Sequence, residues 1–364
     1  MSSPLLTRPG AVPAGGPDEG VAAHYGDPVA EQRALERGIG VTDLSHLGVA
    51  AVTGPDRLTW LHSLASQQLA DLAPLVPTEM LLLDPQGHVQ HAAAVLDDGT
   101  TTWLVTERDG VGPLVAFLDS MRFMLRVEVR EVDELAVLGT HGDGPGLRLP
   151  DGEEPLRWLD PWPRVADSST AYGPTTGHPG EQRSAAWWLV PRDRLEAVVD
   201  AATAAGARLA GVWAWEALRV AAWRPRLARE VDERTLPHEL DWLRTAVHLT
   251  KGCYRGQETV AKLFNLGKPP RRLVALHIDG SDHLIPEVGA AVMAGEREVG
   301  RLTSVARHHD LGPIGLAVVK RSLDPTLELV VDGVAAAQET IVSPDGVGTG
   351  RPDPIDRAGL RRRP

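Results

Sequence analysis

The chain has 364 residues, 39.1 kDa, with 43% hydrophobic and 24% charged residues, enough for a sizeable core spread over two or three domains. Its net charge of −12 argues against a duplex nucleic-acid binder held by a broad basic face, and no stretch approaches the roughly 20 apolar residues that span a bilayer. A lone cysteine, Cys253, excludes an intrachain disulfide and a CxxC pair, and the absence of a secretory h-region near Asp18 and Glu19 predicts a cytoplasmic protein.

Residues 1–20, rich in Pro, Gly and Ala, predict a disordered leader. Val49–Val52 is strand-like, and Pro55–Leu64 places Leu58, Leu61 and Leu64 on one helical face. Gln86-Gly87 predicts a hairpin turn between Met80–Leu83 and Val89–Val95. Val111–Met124 has an amphipathic helical pattern and leads into a strand over Leu125–Val129. Residues 141–183 are dense in Gly, Pro and Asp and read as loops. Leu195–Ala205 is a helix ended by Gly206, and Val212–Trp223 a helix ended by Pro225. From Arg271 the texture changes to short strands, Leu273–Ile278, Ala291–Met293, Val299–Val305, Ile314–Val319 and Leu327–Val331, whose spacing suits a small antiparallel barrel. The expected division is a leader (1–20), a first domain part (21–135), a second (136–268), a barrel (269–345) and a mobile tail (346–364) ending in Arg361–Arg363.

Rare residues point to one segment. Only 4 of the 37 basic residues are lysines, and three of them, Lys251, Lys262 and Lys268, fall within 18 residues that also hold Cys253 and Tyr254. In Lys251-Gly-Cys-Tyr-Arg-Gly-Gln-Glu258, Gly252 and Gly256 bracket a tight turn and a helix can start at Gly256. Exposed N–H groups and the positive helix end beside Lys251 would favour a Cys253 thiolate, either reactive or ligating. The alternative is a buried structural cysteine. One cysteine can supply at most one ligand of an iron–sulfur cluster, bridge two chains, or hold a sulfur or one-carbon adduct. His308-His309 and His88/His91 lack further ligands nearby in sequence, so no metal site is predicted.

The eight-residue segment resembles the signature of YgfZ-type proteins, folate-binding relatives of the glycine-cleavage T-protein (GcvT-like aminomethyltransferases) implicated in iron–sulfur cluster assembly or repair. Similar to that family are also Asp43–Gly48, Gly54–Arg57, Leu218–Ala222, Arg224-Pro225, Leu236–Glu239, Gly267-Lys268, Arg271–Leu273 and Gly300–Ser304. The resemblance, over roughly residues 22 to 345, implies an α+β fold: a three-part ring around a central folate funnel, with a C-terminal antiparallel barrel. It implies tetrahydrofolate or a one-carbon derivative as ligand, and iron–sulfur assembly proteins or client enzymes as partners. Cys253 and Lys251 are then expected at the working edge, with Tyr254, Gly256, Gln257, Glu258, Arg219, Lys268 and Arg271 binding the folate. Lys262, Lys268, Arg271 and Arg272 would gather into a basic patch for the glutamate tail.

Two departures set the chain apart from the transferases it resembles. Their Gly-Gly-x-x-Asp-Asp turn reads Gln86–His91 here, with Gln90 and His91 at the acidic positions, and the glutamate of their Leu-Arg-x-Glu is Ala221. Aminomethyl transfer needs carboxylates at such places, so an accessory folate-binding role is expected first, with aminomethyl or related folate-dependent one-carbon transfer as the alternative and a ligand-free scaffold as a further one. Glu216, one turn from Arg219, is a candidate substitute or a helix-surface ion bridge. His91 is a candidate base or an exposed hairpin residue. Of the tryptophans near the motif, Trp213, Trp215, Trp223 and Trp242, most are expected in the core and some on the funnel wall.

Overall fold

The computed structural model describes residues 2–281 and 283–352. The described residues form two five-stranded sheets, a closed barrel and a small two-stranded sheet. The first sheet has the order Leu156–Leu159, Ala185–Pro191, Leu135–His141, Gly40–Asp43, Arg208–Ala210, antiparallel except for the last pair. Gly40–Asp43 therefore joins a sheet otherwise built from the second part of the chain, so the expected boundary at 135/136 is crossed by strand pairing. The second sheet, Thr78–Leu83, Val89–Asp97, Thr101–Glu107, Leu47–Thr53, Glu128–Glu131, is wholly antiparallel.

The barrel is the predicted one with a sixth strand. Arg271–Ile278 pairs with Gly312–Lys320 on one side and Val334–Thr340 on the other, and Arg297–His308, Ala291–Ala294 and Leu329–Val331 complete the circuit. Val334–Thr340 reads Val-Ala-Ala-Ala-Gln-Glu-Thr, poor in β-branched residues, so its propensity is weak and closure of the barrel supplies the pairing.

Most predicted helices form. Helix Arg57–Leu64 buries Trp60 and Leu61 against the second sheet, with Leu58 only half-buried. The next helix runs Arg108–Ser120, earlier than expected. It ends at Ser120, Phe123 beyond it has a left-handed backbone (φ 45°), and the following strand is Glu128–Glu131. Leu195–Ala204 and Val212–Ala221 fit the sequence reading, and residues 141–183 hold one short strand, Leu156–Leu159.

Both termini correct the expectation of looseness. Leu5 is fully buried in a cluster with Val41, Leu138 and Trp188, and Val12–Pro13 pairs with Ala22–His24. Composition marks this stretch as irregular, which it is, but its apolar and acidic side chains find buried partners. Past the barrel, Thr349 N donates to Ala171 O and the Arg351 guanidinium to Asn265 O and Gly267 O, so residues up to 351 are tied down. Arg361–Arg363 lie outside the described residues. Among the described residues no helix is long and apolar enough to cross a membrane.

Candidate functional site

The two sheets face each other across a cavity of about 80 Å³. Ala92–Ala94 and Val105–Glu107 line it from the second sheet, Trp158 and Trp187 from the first, and Val212, Trp215, Glu216 and Arg219 from helix Val212–Ala221. That helix buries most of its surface, including Arg219, because helix Pro28–Glu36 and barrel strand Arg297–His308 pack beside it while its inner side chains join the core between the two sheets; Trp213 alone is exposed. The left-handed backbone of Trp223 (φ 57°) ends it, with Arg224 N donating to Arg219 O, and the segment that follows sets Arg224 and Arg226 on the cavity wall.

Two ion networks form that wall. In the first, Arg224 holds Glu79 bidentately (2.7 and 3.2 Å) and reaches Asp160 at 3.2 Å, Arg183 pairs with Asp160 at 2.5 Å, and Trp242 Nε1 donates to Glu79 at 3.1 Å. Burial works against ionisation of Asp160, yet Arg224 and Arg183 hold its pKa below the usual range. In the second, Arg226 clamps Glu107 (2.8 and 2.9 Å) and binds Asp18 at 2.7 Å, while Arg219 clamps Glu216 at 2.9 Å through two nitrogens. Arg219 also reaches Glu230 at 3.1 Å and Ser304 at 2.6 Å, and Glu230 accepts from Thr303 and Ser304, which locks the barrel onto this wall. Burial opposes ionisation of Glu216, but the Arg219 and Arg226 charges hold its pKa at about 2. Glu107 is likewise lowered, with Arg226 outweighing burial. These are stable carboxylates at neutral pH, suited to orienting a donor-rich ligand or steadying positive charge, not to giving up a proton.

The buried His46 has its pKa lowered by burial and by Arg226, so it stays neutral. Its Nε2 lies 3.3 Å from Asp18, and its Nδ1 has no partner. Arg183 Nε is likewise unpartnered. Trp158 and Trp187 pack with their rings tilted by 35° at 4.8 Å between ring centres, and with Trp215 and Trp242 they give the cavity four indole walls.

The Lys251–Glu258 segment lies elsewhere, since none of its residues lines the cavity. The Lys251 ammonium is buried and donates to the carbonyls of His62, Ala65 and Gln67 at the end of helix Arg57–Leu64, a tie between distant parts of the chain. Burial pushes its pKa down to about 8. Tyr254 is buried with its ring 5.2 Å from the Lys251 ammonium, and Gln257 donates to Lys251 O. Gly256 caps helix Gln257–Asn265 with φ 81°, and a Cβ there would meet Asp84 O at 2.5 Å. The helix thus seats against the Gln86-Gly87 turn through two glycines. Cys253 and Glu258 are exposed.

The expected basic patch does not assemble. Arg271 is paired with Asp232 and Glu239, Arg272 is buried and donates to Arg321 O, Leu323 O and Gln338, and Lys262 and Lys268 are exposed. Arg271 and Arg272 alternate on a barrel strand, so they point to opposite faces. Of the residues predicted to bind folate, Arg219 alone reaches the cavity. Glu216 is a cavity carboxylate, not a surface bridge, while His91 is half-buried near Phe117 and Gln90 and Ala221 are off the lining. Trp215 and Trp242 line the cavity, Trp223 is core and Trp213 is exposed. Sequence reasoning missed Asp18, His46, Glu79, Glu107, Asp160, Arg183 and Arg226. The one local signal was a pair of arginines flanking Pro225 behind an apolar helix. His308 and His309 do meet a third group, Glu36, but His308 Nδ1 accepts from two backbone N–H groups, which puts its proton on the nitrogen facing Glu36.

Residues 271–344 match the family described as the glycine cleavage T-protein C-terminal barrel domain. Aminomethyltransferase of Thermus thermophilus is 29% identical over 287 residues, covering 77% of this chain and 79% of that one. Aminomethyltransferase of Rippkaea orientalis is 26% identical over 336 residues, covering 80% and 81%. The crystal structure of glycine cleavage system aminomethyltransferase T from Bartonella henselae superposes with a TM-score of 0.74 at 17% identity, over 93% of this chain and 96% of that one.

Proposed function

We propose that this chain, which falls in the superfamily of the glycine cleavage T-protein, binds a reduced folate in its central cavity and serves iron–sulfur cluster assembly or repair as an accessory protein. The observation that carries the reading is the cavity wall, in which indoles and ionised carboxylates surround one space at the meeting point of the domains. A pterin is flat and presents adjacent N–H donors, and a carboxylate such as Glu107 or Glu216 accepts such a pair well. With its Nε2 accepting from Arg226 Nη2 at 3.3 Å, neutral His46 carries its proton on the unpartnered Nδ1, which adds a donor. A cavity of about 80 Å³ is below the several hundred Å³ of typical ligand pockets, so the wall must yield for a folate to enter.

Exposure of Cys253 supports a thiol that meets a partner or cluster at the surface, apart from the folate. Saturable quenching of tryptophan fluorescence by tetrahydrofolate, with a Kd on the order of micromolar, is expected, and no quenching would contradict folate binding. For the thiol, the Cys253→Ala protein is expected to fail to restore iron–sulfur enzyme activity in a strain lacking the native protein, and full rescue would contradict the role.

A second reading, aminomethyl transfer, is favoured by the names of the relatives and by Glu216 standing on the cavity wall. It predicts turnover of glycine-derived aminomethyl groups by the purified protein, lost in Glu216→Gln. The absence of acidic groups at Gln90, His91 and Ala221 supports the first reading instead.

A further inference from the structure

Asp160 and Arg183 line two spaces, the cavity and an open cleft of about 530 Å³. The cleft lies between residues 159–165 and 178–184, with Val76 and Pro77. Two buried donors among its lining residues lack partners. The Arg183 side chain is 6% exposed and gives Nη1 to Asp160 at 2.5 Å, its one side-chain hydrogen bond among the described residues. Its Nε, on the opposite edge of the guanidinium, is unpartnered. His178 Nδ1 accepts from Gly180 N at 3.0 Å, which puts the proton of this neutral ring on Nε2, also unpartnered. The carboxylates of the cleft are already engaged. Asp160 accepts from Arg183, Arg224 and Trp162 N, and Glu181 from His178 N. Burial accordingly pulls the Arg183 pKa below the usual arginine value in spite of Asp160. Exposed Arg164 adds a cation with no ion pair among the described residues.

We propose that this cleft is a carboxylate subsite, in which the Nε–Nη2 edge of Arg183 takes the glutamate tail of a folate whose pterin lies in the cavity. This rests on the folate reading above. Head and tail then use different ion networks. Glu107 and Glu216, which face the pterin, are held by Arg226 and Arg219, whereas Arg183 belongs with Asp160 and Arg224, so the two ends compete for no cation. Asp160 keeps Nη1, so taking up the tail breaks no ion pair. Two N–H groups on one guanidinium edge match the two oxygens of a carboxylate. The same guanidinium lies over the cavity's Trp215, 5.6 Å from its ring centre, so it touches both spaces. The part of the wall that yields to a folate is therefore the one at Arg183.

The test is calorimetric titration of the full-length protein and its Arg183→Lys variant with tetrahydrofolate and with a tetrahydropterin lacking the benzoylglutamate tail. Lysine keeps a charge for Asp160 and loses the Nε–Nη2 edge. Arg183→Lys is expected to bind tetrahydrofolate about tenfold more weakly, with the tail-less pterin unchanged. Amide exchange over residues 178–184 of the unaltered protein is expected to slow with tetrahydrofolate and not with the tail-less pterin, a readout independent of how the variant folds. Equal tetrahydrofolate affinity in Arg183→Lys, with no slowing of exchange, overturns the subsite and leaves the folate reading standing. No binding of either ligand by the unaltered protein overturns both.

Discussion

The cavity wall and the Lys251–Glu258 segment are both dense in polar residues, and they use them in opposite ways. Around the cavity, side chains bind side chains: Arg224 and Arg226 hold Glu79 and Glu107 brought from distant strands, and Arg219 holds Glu216 of its own helix and Glu230. In the segment, side chains bind backbone: Lys251 caps carbonyls of another helix, Gln257 reaches Lys251 O, and Gly256 lets two backbone segments touch. The first arrangement fixes charges in a space that a ligand can share; the second fixes the path of the chain and leaves Cys253 outside. A distinctive local motif can thus be a seam of the fold, while the reactive surroundings lie where several elements converge.

The largest expected effect that separates the two is at Arg224. Arg224→Met leaves buried Glu79 without its bidentate partner and Asp160 with Arg183 alone, and should cost about 3–5 kcal/mol in urea unfolding. A loss under about 1 kcal/mol would mean water already solvates the cavity wall.

On the segment, Gly256→Val combines a positive φ with a clash against Asp84 O and should cost roughly 3 kcal/mol, by the same measurement, without changing the ligand affinity of the protein that still folds.

A pH series sharpens the contrast further. His238 is buried beside helix Gln257–Asn265, its Nε2 3.2 Å from Val260 O, and burial lowers its pKa to about 4 although that hydrogen bond raises it. The unfolded chain takes up this proton near pH 6.5, so stability is complete above that value and falls as pH drops toward 4. At pH 5 the loss is on the order of 2 kcal/mol, and His238→Gln should flatten this part of the profile. His141 and His178, both lowered to about 3 by burial and by a nearby arginine, act in the same direction. Glu216 contributes lower down, where its stabilisation, full above pH 4.5, is lost as pH falls toward 2.

Lys251→Met removes the cap from three carbonyls and should cost about 1–3 kcal/mol, with no change in folate affinity. Smallest of all, Cys253→Ser should shift stability by less than about 0.5 kcal/mol, since the side chain is exposed.

How far the sequence reached follows from the range of the interactions. The barrel was legible because its turns are marked by Gly and Pro and its strands are short apolar runs; the Ala-rich closing strand carried no such mark. The 3₁₀ turns and the buried Leu5 of the first 20 residues were illegible because Pro and Gly report irregular backbone, not exposure. Arg219 and Glu216, three residues apart, were visible as a pair, but their burial depends on the sheets, the barrel strand Arg297–His308 and helix Pro28–Glu36, which the pair itself does not announce. Arg224 meets Glu79 across 145 residues and Arg226 meets Asp18 across 208, so no spacing in the chain encodes them. Conversely, Lys251-Gly-Cys-Tyr drew attention by rarity, and rarity of lysine does not separate a structural cap from a working group.

The central claim is that the cavity, and not the cysteine segment, holds the folate. Calorimetric titration with tetrahydrofolate of the unaltered protein, Glu107→Gln and Cys253→Ala tests it most directly. The account predicts affinity weakened about tenfold or more in Glu107→Gln and unchanged in Cys253→Ala. Binding that survives the loss of the Glu107 charge but fails without Cys253 would contradict it.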